Sequence, residues 1–330
     1  MTPLLIGLFA YVAALAVLGP RLIRASRGWQ SAAPRLGLVF WTALATSWVV
    51  AVISAGLAAM GQLSGGHGLA ALLHACLRAL LTIVGVHSLA DAPAAIALLG
   101  SGVVIARLLV VAARHVRQTR RHRELHRKAL SSSRTVVRNG IRVAVVEAEQ
   151  LAAYCVPGRC STIVLTTGAL RRLVPAERDA VMAHEIAHLR GKHHLMAGWA
   201  AILAHAFPFV PLLKAASQEI ARLVEWIADD RAGRRHGNRA VARALAVMAT
   251  STAAPVPKVA LAAAGSGVPE RVRRLVQPRV AVQSACWRIV AALALPVVAL
   301  VAAAAVLVPC ATADPTPICS GRPSLSVSAG

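Results

Sequence analysis

Acidic and aromatic side chains are scarce in this sequence. Thirteen Asp and Glu stand against 36 Lys and Arg, which gives a formal net charge of +23, and aromatic residues make up 4% of the chain. A surface that binds nucleic acid combines a basic patch with interleaved aromatic side chains. The scarcity of aromatics therefore argues against a direct nucleic-acid partner, and basic segments beside membrane spans account for the charge better.

Charged residues are also few, at 15%, whereas hydrophobic residues make up 57% and the mean hydropathy is +0.63. This composition is too apolar for an ordinary soluble domain and indicates several membrane segments. Four apolar runs have about the length of a transmembrane helix: residues 3–20, 36–60, 94–113 and 287–308. The expected fold class is a multi-spanning α-helical membrane protein, with the lipid bilayer as a partner.

The first apolar run lacks the features of a cleaved secretory signal. Its positive charges follow the run, at Arg21, Arg24 and Arg27, instead of preceding it. No small-residue cleavage site closes it either. We therefore expect a retained membrane helix whose N-terminus lies outside the cell.

A further segment, 69–90, is long enough to span the membrane but contains two histidines and Arg78. If it stays outside the membrane, the Arg-rich segment 21–35 and the basic run 114–128 fall on the same, cytoplasmic side, as the positive-inside tendency prefers. We therefore expect residues 61–92 to form an external loop. A spanning helix in which a partner pairs with Arg78 is the alternative.

These spans divide the chain into four parts. Residues 1–128 form a membrane region that ends in the basic run, for which contact with anionic lipid is expected and docking of an acidic partner is the alternative. Residues 129–286 form a cytoplasmic domain, 287–308 a last span and 309–330 a short external tail. Within the domain, β-branched residues predict strands at 141–147 and 161–167. The second strand is either an edge for an extended peptide or an ordinary sheet strand.

The sequence His184-Glu185-x-x-His188 is the strongest chemical motif in the domain. Residues four apart share one face of a helix, so the two histidines can bind one metal ion while Glu185 faces the same cleft. Zinc suits two imidazoles, a third protein ligand and one open position, beside which a carboxylate can act as general base. Histidines on a helix surface are the alternative. Pro175 at a helix start and a helix that is apolar on most sides favour the metal site.

A second acidic pair lies downstream, at Glu225 and Asp229. The two residues share a helical face, so one carboxylate can bind the metal and the other can orient a histidine through its ring N–H. A pair of exposed acids beside Arg222 and Arg231 is the alternative. The combined hypothesis assigns the metal to His184, His188 and Glu225, the general base to Glu185 and a supporting role to Asp229.

The segment 195–213 is apolar enough to cross a membrane, but it contains Pro208 and Pro211. A single crossing between His188 and Glu225 would place the ligands on opposite faces of the bilayer. We therefore expect a buried or re-entrant helical hairpin. The sequence names no firm donor for the transition state, and its candidates are Arg234, Arg235 and His236.

Six cysteines are spread along the chain, at Cys76, Cys155, Cys160, Cys286, Cys310 and Cys319. Cys155 and Cys160 flank a predicted turn, but a single Cys-x4-Cys pair is weak evidence for structural zinc. Cys310 and Cys319, in the expected external tail, are the better candidates for a disulfide.

Four stretches together resemble the BlaR/MecR family of membrane zinc metallopeptidases: 156–158, 167–170, the helix 175–194 and 225–230. The likeness covers about 140–230, and HtpX-like and CAAX-processing peptidases share the same two motifs. The resemblance implies an inserted α+β gluzincin domain, with a small sheet packed on the zinc helix. It also implies that His184, His188 and Glu225 bind zinc, that Glu185 is the general base and that Asp229 supports a ligand.

The resemblance further implies cleavage in the cytoplasm that leads to loss of a BlaI/MecI-type winged-helix repressor. An HtpX-like protease that removes damaged membrane proteins is the alternative. The expected tail of about twenty residues contains no Ser-x-x-Lys motif and no penicillin-binding domain, so direct reaction with β-lactams is not expected. A receptor without activity is the alternative outside enzymes, and the five intact site residues argue against it.

Overall fold

The computed structural model describes residues 3–63, 92–130, 133–138, 141–158, 161–250 and 267–277. Within them the helices and strands follow in this order: α1 (Pro3–Ala32), α2 (Pro34–Leu63), α3 (Ala92–Ala129), β1 (Arg134–Arg138), β2 (Ile141–Val146), β3 (Ala153–Val156), β4 (Thr162–Thr166), α4 (Thr167–Arg172), α5 (Pro175–Arg190), α6 (His193–Ala206), α7 (Pro211–His236), α8 (Asn238–Ala249) and α9 (Val268–Val276). The described part of the chain is therefore mostly helical, with one small sheet.

The sheet has the strand order β1-β2-β4-β3. β2 and β4, the two strands that the sequence predicts, pair in parallel, and β1 and β3 add antiparallel strands on either side. β4 is buried through Ile163, Val164 and Leu165 and lies inside the sheet. The strand at 161–167 is thus an ordinary sheet strand, and the edge that contacts α5 is β3.

Helices α1 and α2 form an antiparallel hairpin that turns at Ala33. The Tyr11 hydroxyl and the Ser47 hydroxyl are 2.8 Å apart, and the Trp48 indole donates to the carbonyl of Val12 at 3.1 Å. The Arg-rich segment 21–35, expected to connect the spans 3–20 and 36–60, belongs to this hairpin. α1 continues as a helix through it to Ala32.

Helix α2 packs directly on α7, the helix that carries Glu225. Trp41, Leu44, Leu223 and Trp226 are all buried in the cluster that joins the two helices. Gly37 permits this approach, because a Cβ there would lie 2.9 Å from Cγ of Gln30 and 3.1 Å from Cδ2 of Leu223. The expected membrane region and the catalytic domain are therefore packed together and share one core.

Two helical stretches among the described residues are long and apolar enough to cross a membrane, Pro34–Gly56 of α2 and Leu99–Ala129 of α3. They overlap most of the predicted spans 36–60 and 94–113, and the first predicted span, 3–20, is also helical. α3 is one helix of 38 residues, so the apolar span and the basic run 114–128 are continuous. The predicted last span 287–308, the tail 309–330, most of loop 61–92 and the cysteines other than Cys155 lie outside the described residues.

Candidate metal centre

Helix α5 holds the two motif histidines. Pro175 occupies its first turn, where a missing N–H does no harm, and the Glu177 carboxylate accepts a hydrogen bond from the backbone N–H of Val174 at 3.1 Å. One turn apart on this helix, the Nε2 atoms of His184 and His188 face each other at 3.0 Å. The helix start predicted at Pro175 is therefore confirmed.

Helix α7 brings Glu225 to the same point. Its Oε2 lies 3.4 Å from Nε2 of His184, and its Oε1 lies 3.4 Å from Nε2 of His188. The segment between the two motifs makes this possible by folding into a helical hairpin, α6 and the start of α7, instead of crossing to the far side. Ala200, Leu203, Leu212 and Leu213 bury much of that hairpin.

These three residues fit a zinc ion. One ligand atom from each of His184, His188 and Glu225 lies within 4.8 Å of the other two. Ligand atoms at about 2.0–2.1 Å from a tetrahedral zinc ion are separated by roughly 3.3 Å. The observed separations of 3.0 and 3.4 Å agree with that value, and two nitrogens with one oxygen leave a fourth position open.

Asp229 lies behind His184. Its Oδ1 is 3.0 Å from Nδ1, the ring nitrogen of His184 that points away from the cluster. An acceptor at that position fixes the tautomer in which Nε2 keeps its lone pair for a metal. The structure thus places Asp229 where the sequence analysis expects a supporting carboxylate.

His193 occupies the corresponding place behind His188, and the sequence analysis misses it. The Nδ1 atoms of the two rings are 3.0 Å apart, and burial lowers the pKa of His193 to about 4. The turn between α5 and α6 brings the ring back, since Lys192 adopts φ +50° and a Cβ at Gly191 would lie 2.3 Å from Nε2 of His193. A third histidine five residues after His188 is the signal in the sequence.

Arg271 of α9 is the second residue that the sequence analysis misses. Its Nε and Nη2 donate to the two carboxylate oxygens of Asp229 at 2.8 and 2.6 Å, and its Nη1 lies 3.0 Å from Oε2 of Glu225. A buried guanidinium with a bidentate partner is a strong, directional contact. Arg271 therefore fixes both Glu225 and Asp229. Its only signal in the sequence is that it belongs to a basic group with Arg273 and Arg274.

The general-base candidate Glu185 contacts the edge strand. Burial raises its pKa, the charge of His184 lowers it, and nearby Glu225 raises it again. Cys155 of β3 lies near its carboxylate, and burial, followed by the charge of Glu185, raises the pKa of that thiol above its ordinary value. The thiol of Cys155 is consequently neutral.

The electrostatics of the cluster favour a cation. Burial lowers the pKa of His184, but hydrogen bonds to Asp229 and Glu225 outweigh it and raise the pKa to about 10. Burial raises the pKa of Glu225, yet the hydrogen bond to His184 and the charges of His188 and Arg271 bring it to about 2. Burial lowers the pKa of His188 to about 3. In this state His184 carries a proton beside the charged carboxylate of Glu225, while His188 is neutral. A metal ion that binds here replaces that proton.

The candidates for a transition-state donor, Arg234, Arg235 and His236, are exposed in the last turn of α7. They lie nine to eleven residues beyond Glu225, which is about 14–16 Å along a helix. The structure therefore does not bring them together with the metal ligands.

Comparison with known proteins agrees with this geometry. Residues 115–279, half of the chain, match the model of peptidase family M48. No curated protein and no solved structure matches the chain. The matched range contains α5, α7 and α9, so it includes both histidines, Glu225 and Arg271. The chain therefore belongs to peptidase family M48, and it is a metalloendopeptidase that uses zinc.

Proposed function

We propose that this protein is an integral-membrane endopeptidase that cleaves protein substrates at the cytoplasmic side of the cell membrane. One observation carries the proposal: His184, His188 and Glu225 converge on one point, although 36 residues of chain lie between His188 and Glu225. Two candidate membrane helices, α2 and α3, supply the link to the bilayer.

The side chains divide the work as follows. His184, His188 and Glu225 hold zinc, which supplies the Lewis acidity that activates water and polarises the scissile carbonyl. Glu185 takes the proton from the attacking water and delivers it to the leaving amine, a role to which its raised pKa is suited. Asp229 keeps His184 in the tautomer that binds the metal.

Replacing Glu185 with Gln tests the assigned base. The amide keeps the size of the side chain and removes its basicity, so we expect unchanged zinc content and a loss of peptidase activity of at least about 100-fold. Asp179→Asn is the matched control, since Asp179 is an exposed acid on the same helix. Full activity in Glu185→Gln would reject the assignment, and loss of zinc in that variant would point to a structural role.

For the substrate we favour membrane proteins, as in an HtpX-like quality-control protease. The supporting observation is that α2, a candidate membrane helix, packs on the helix that carries Glu225. This packing keeps the site beside the bilayer. The alternative is a regulatory protease whose action removes a BlaI/MecI-type repressor, and the likeness of residues 156–230 to BlaR/MecR proteins supports it.

The number of proteins that are cleaved distinguishes a quality-control protease from a regulatory one. Membrane and soluble proteins from cells that express either the wild type or Glu185→Gln can be compared by mass spectrometry of new N-termini. A quality-control protease yields many cuts, concentrated in damaged membrane proteins. A regulatory protease yields one or a few, with a small winged-helix protein among them.

A further inference from the structure

The hairpin between the two metal-binding helices has an apolar, exposed end. Residues 195–213 contain no Lys, Arg, Asp or Glu. At the bend, which we call the hairpin tip (residues 207–210), the ring of Phe209 is 73% exposed. Leu195 is also exposed, at 57%. Exposed large apolar side chains on an uncharged stretch of this length mark contact with something apolar.

Contacts with α3 fix the level of the hairpin relative to a candidate membrane helix. Nε of Arg107 donates to the carbonyl of Ala206, the last residue of α6. Eight residues further along α3, His115 lies against Gly198, where a Cβ would be 3.3 Å from Nε2 of the imidazole. α6 therefore runs antiparallel to α3, and its C-terminal end lies beside the apolar part of that helix.

A contact with α2 independently places the hairpin tip beside an apolar stretch. The rings of Trp48 and Phe207 meet edge to face, with centroids 5.6 Å apart. Trp48 lies inside Pro34–Gly56, the apolar stretch of α2. Two candidate membrane helices thus both contact the hairpin tip within their apolar stretches.

We propose that the hairpin is a re-entrant element that dips into one leaflet of the bilayer. The apolar stretch of α3 ends at Arg114, and Arg107 lies seven residues, or about 10 Å, inside that end. The hairpin tip at the level of Arg107 therefore reaches about 10 Å into a hydrocarbon core that is about 30 Å thick. This depth allows insertion without crossing, so His188 and Glu225 stay on the same side.

Three hydrogen bonds at the hairpin tip satisfy backbone groups that would be costly to leave unpaired in lipid. Backbone groups at a helix end have no partner within the helix, and in hydrocarbon each unsatisfied group is costly. Here Phe207 N–H donates to Leu203, Val210 N–H donates to Phe207, and Arg107 donates to Ala206. An arginine inside a membrane helix is rare unless it has such a partner, which accounts for Arg107.

Photo-crosslinking tests the depth of the hairpin tip directly. The full-length protein would carry benzoylphenylalanine at Phe209 and be placed in nanodiscs of phosphatidylcholine and phosphatidylglycerol. Irradiation should yield a phospholipid adduct at position 209, detected by mass spectrometry. Val103, 64% exposed on α3, is the positive control, and Val174, 53% exposed beside the zinc helix, is the negative control.

Zinc content of each labelled protein checks that it is folded. A lipid adduct at positions 209 and 103 but not at 174 supports insertion. If position 103 gives the adduct and position 209 does not, the hairpin lies outside the bilayer and the proposal is wrong. This result does not depend on peptidase activity, so it stands apart from the proposed function.

Discussion

At the scale of single residues, the two zinc-binding histidines differ in what lies behind them. A carboxylate, Asp229, contacts His184, whereas an imidazole, His193, contacts His188. When Nε2 of His188 binds a metal, its Nδ1 carries the proton. Nδ1 of His193 must then accept a hydrogen bond from that N–H. Groups that orient a ligand in this way change metal affinity by about 10–100-fold.

We therefore expect His193→Leu to weaken zinc binding by about 10–100-fold. His193→Asp and His193→Asn should restore most of the affinity, because both side chains present an acceptor oxygen. The measurement is competition for zinc with a chromogenic chelator. Its matched control is His194→Ala, which removes the neighbouring imidazole, and equal losses in Leu, Asp and Asn variants would show that His193 only fills space.

Residue spacing predicted the ligands and the supporting Asp229, but not the other two supports, His193 and Arg271. His184 and His188 follow from helical periodicity, and Glu225 and Asp229 follow from the same rule applied once more. Arg271 lies 42 residues beyond Asp229, so no local pattern connects the two. His193 depends on the left-handed conformation of Lys192, which an L-residue adopts too rarely to be expected.

At the scale of elements, the short helix α9 is fastened to α7 by arginine–carboxylate contacts besides the one between Arg271 and Glu225. Arg271 binds Asp229, Arg274 binds Asp230 at 2.8 and 2.9 Å, and Glu270 binds Arg222 at 3.1 Å. The guanidinium of Arg274 also lies over the ring of Trp226, 5.0 Å from its centroid. α9 therefore holds in place the helix that carries Glu225, and its Leu275 is buried in one cluster with Ala180 and Ala183 of α5.

Arg271→Ala should destabilise the protein strongly, since it leaves Asp229 buried without its cation. Breaking a buried pair in this way costs about 3–5 kcal/mol. The exposed neighbour Arg273 is the control, and Arg273→Ala should change the free energy of unfolding by less than about 0.5 kcal/mol. Urea unfolding of the zinc-free proteins in detergent, followed by tryptophan fluorescence, measures both. Equal, small effects would show that the contact contributes little.

Two glycine-to-alanine substitutions, one at the contact between α2 and α7 and one away from it, should change the unfolding temperature in opposite directions. Gly37→Ala places a methyl group 2.9 Å from Gln30 and must separate the helices or displace side chains, so it should lower the unfolding temperature. Gly28→Ala has nothing within 4 Å and should raise it, because Ala stabilises a helix by up to about 1 kcal/mol over Gly. Thermal unfolding in detergent compares the two, and an increase for both would argue against tight packing at Gly37.

Elements with strong apolar patterns were predictable, and short ones were not. The three early helices, the zinc helix and the strands β2 and β4 agree with their predictions, although α1 and α3 extend past the predicted ends and the zinc helix ends at Arg190 instead of 194. β1 and β3, five and four residues long, were not predicted. Their position depends on pairing with β2 and β4, which is a tertiary effect.

At the scale of the whole molecule, the re-entrant hairpin sets the distance between the site and the membrane. Gly198, about ten residues before the hairpin tip, lies at the level of His115, next to the end of the apolar stretch. Counting the same number of residues beyond the tip, we infer that α7 returns to that level near residue 219. Glu225 is six residues, or about 9 Å, further from the bilayer. An extended chain covers that distance in about three residues.

We therefore expect cleavage of a membrane-anchored substrate to depend on how far the scissile bond lies from the anchor. A single transmembrane helix followed by a cleavable segment should be cut efficiently with spacers of three or more residues and poorly with shorter ones. The same segment without an anchor should be cut more slowly at equal concentration, because it lacks the high effective concentration of the tethered form. Cleavage rates in nanodiscs, with Glu185→Gln as the blank, measure this dependence. Equal rates at all spacers would contradict the shallow insertion of the hairpin, whereas no cleavage in any form would count against the endopeptidase function itself.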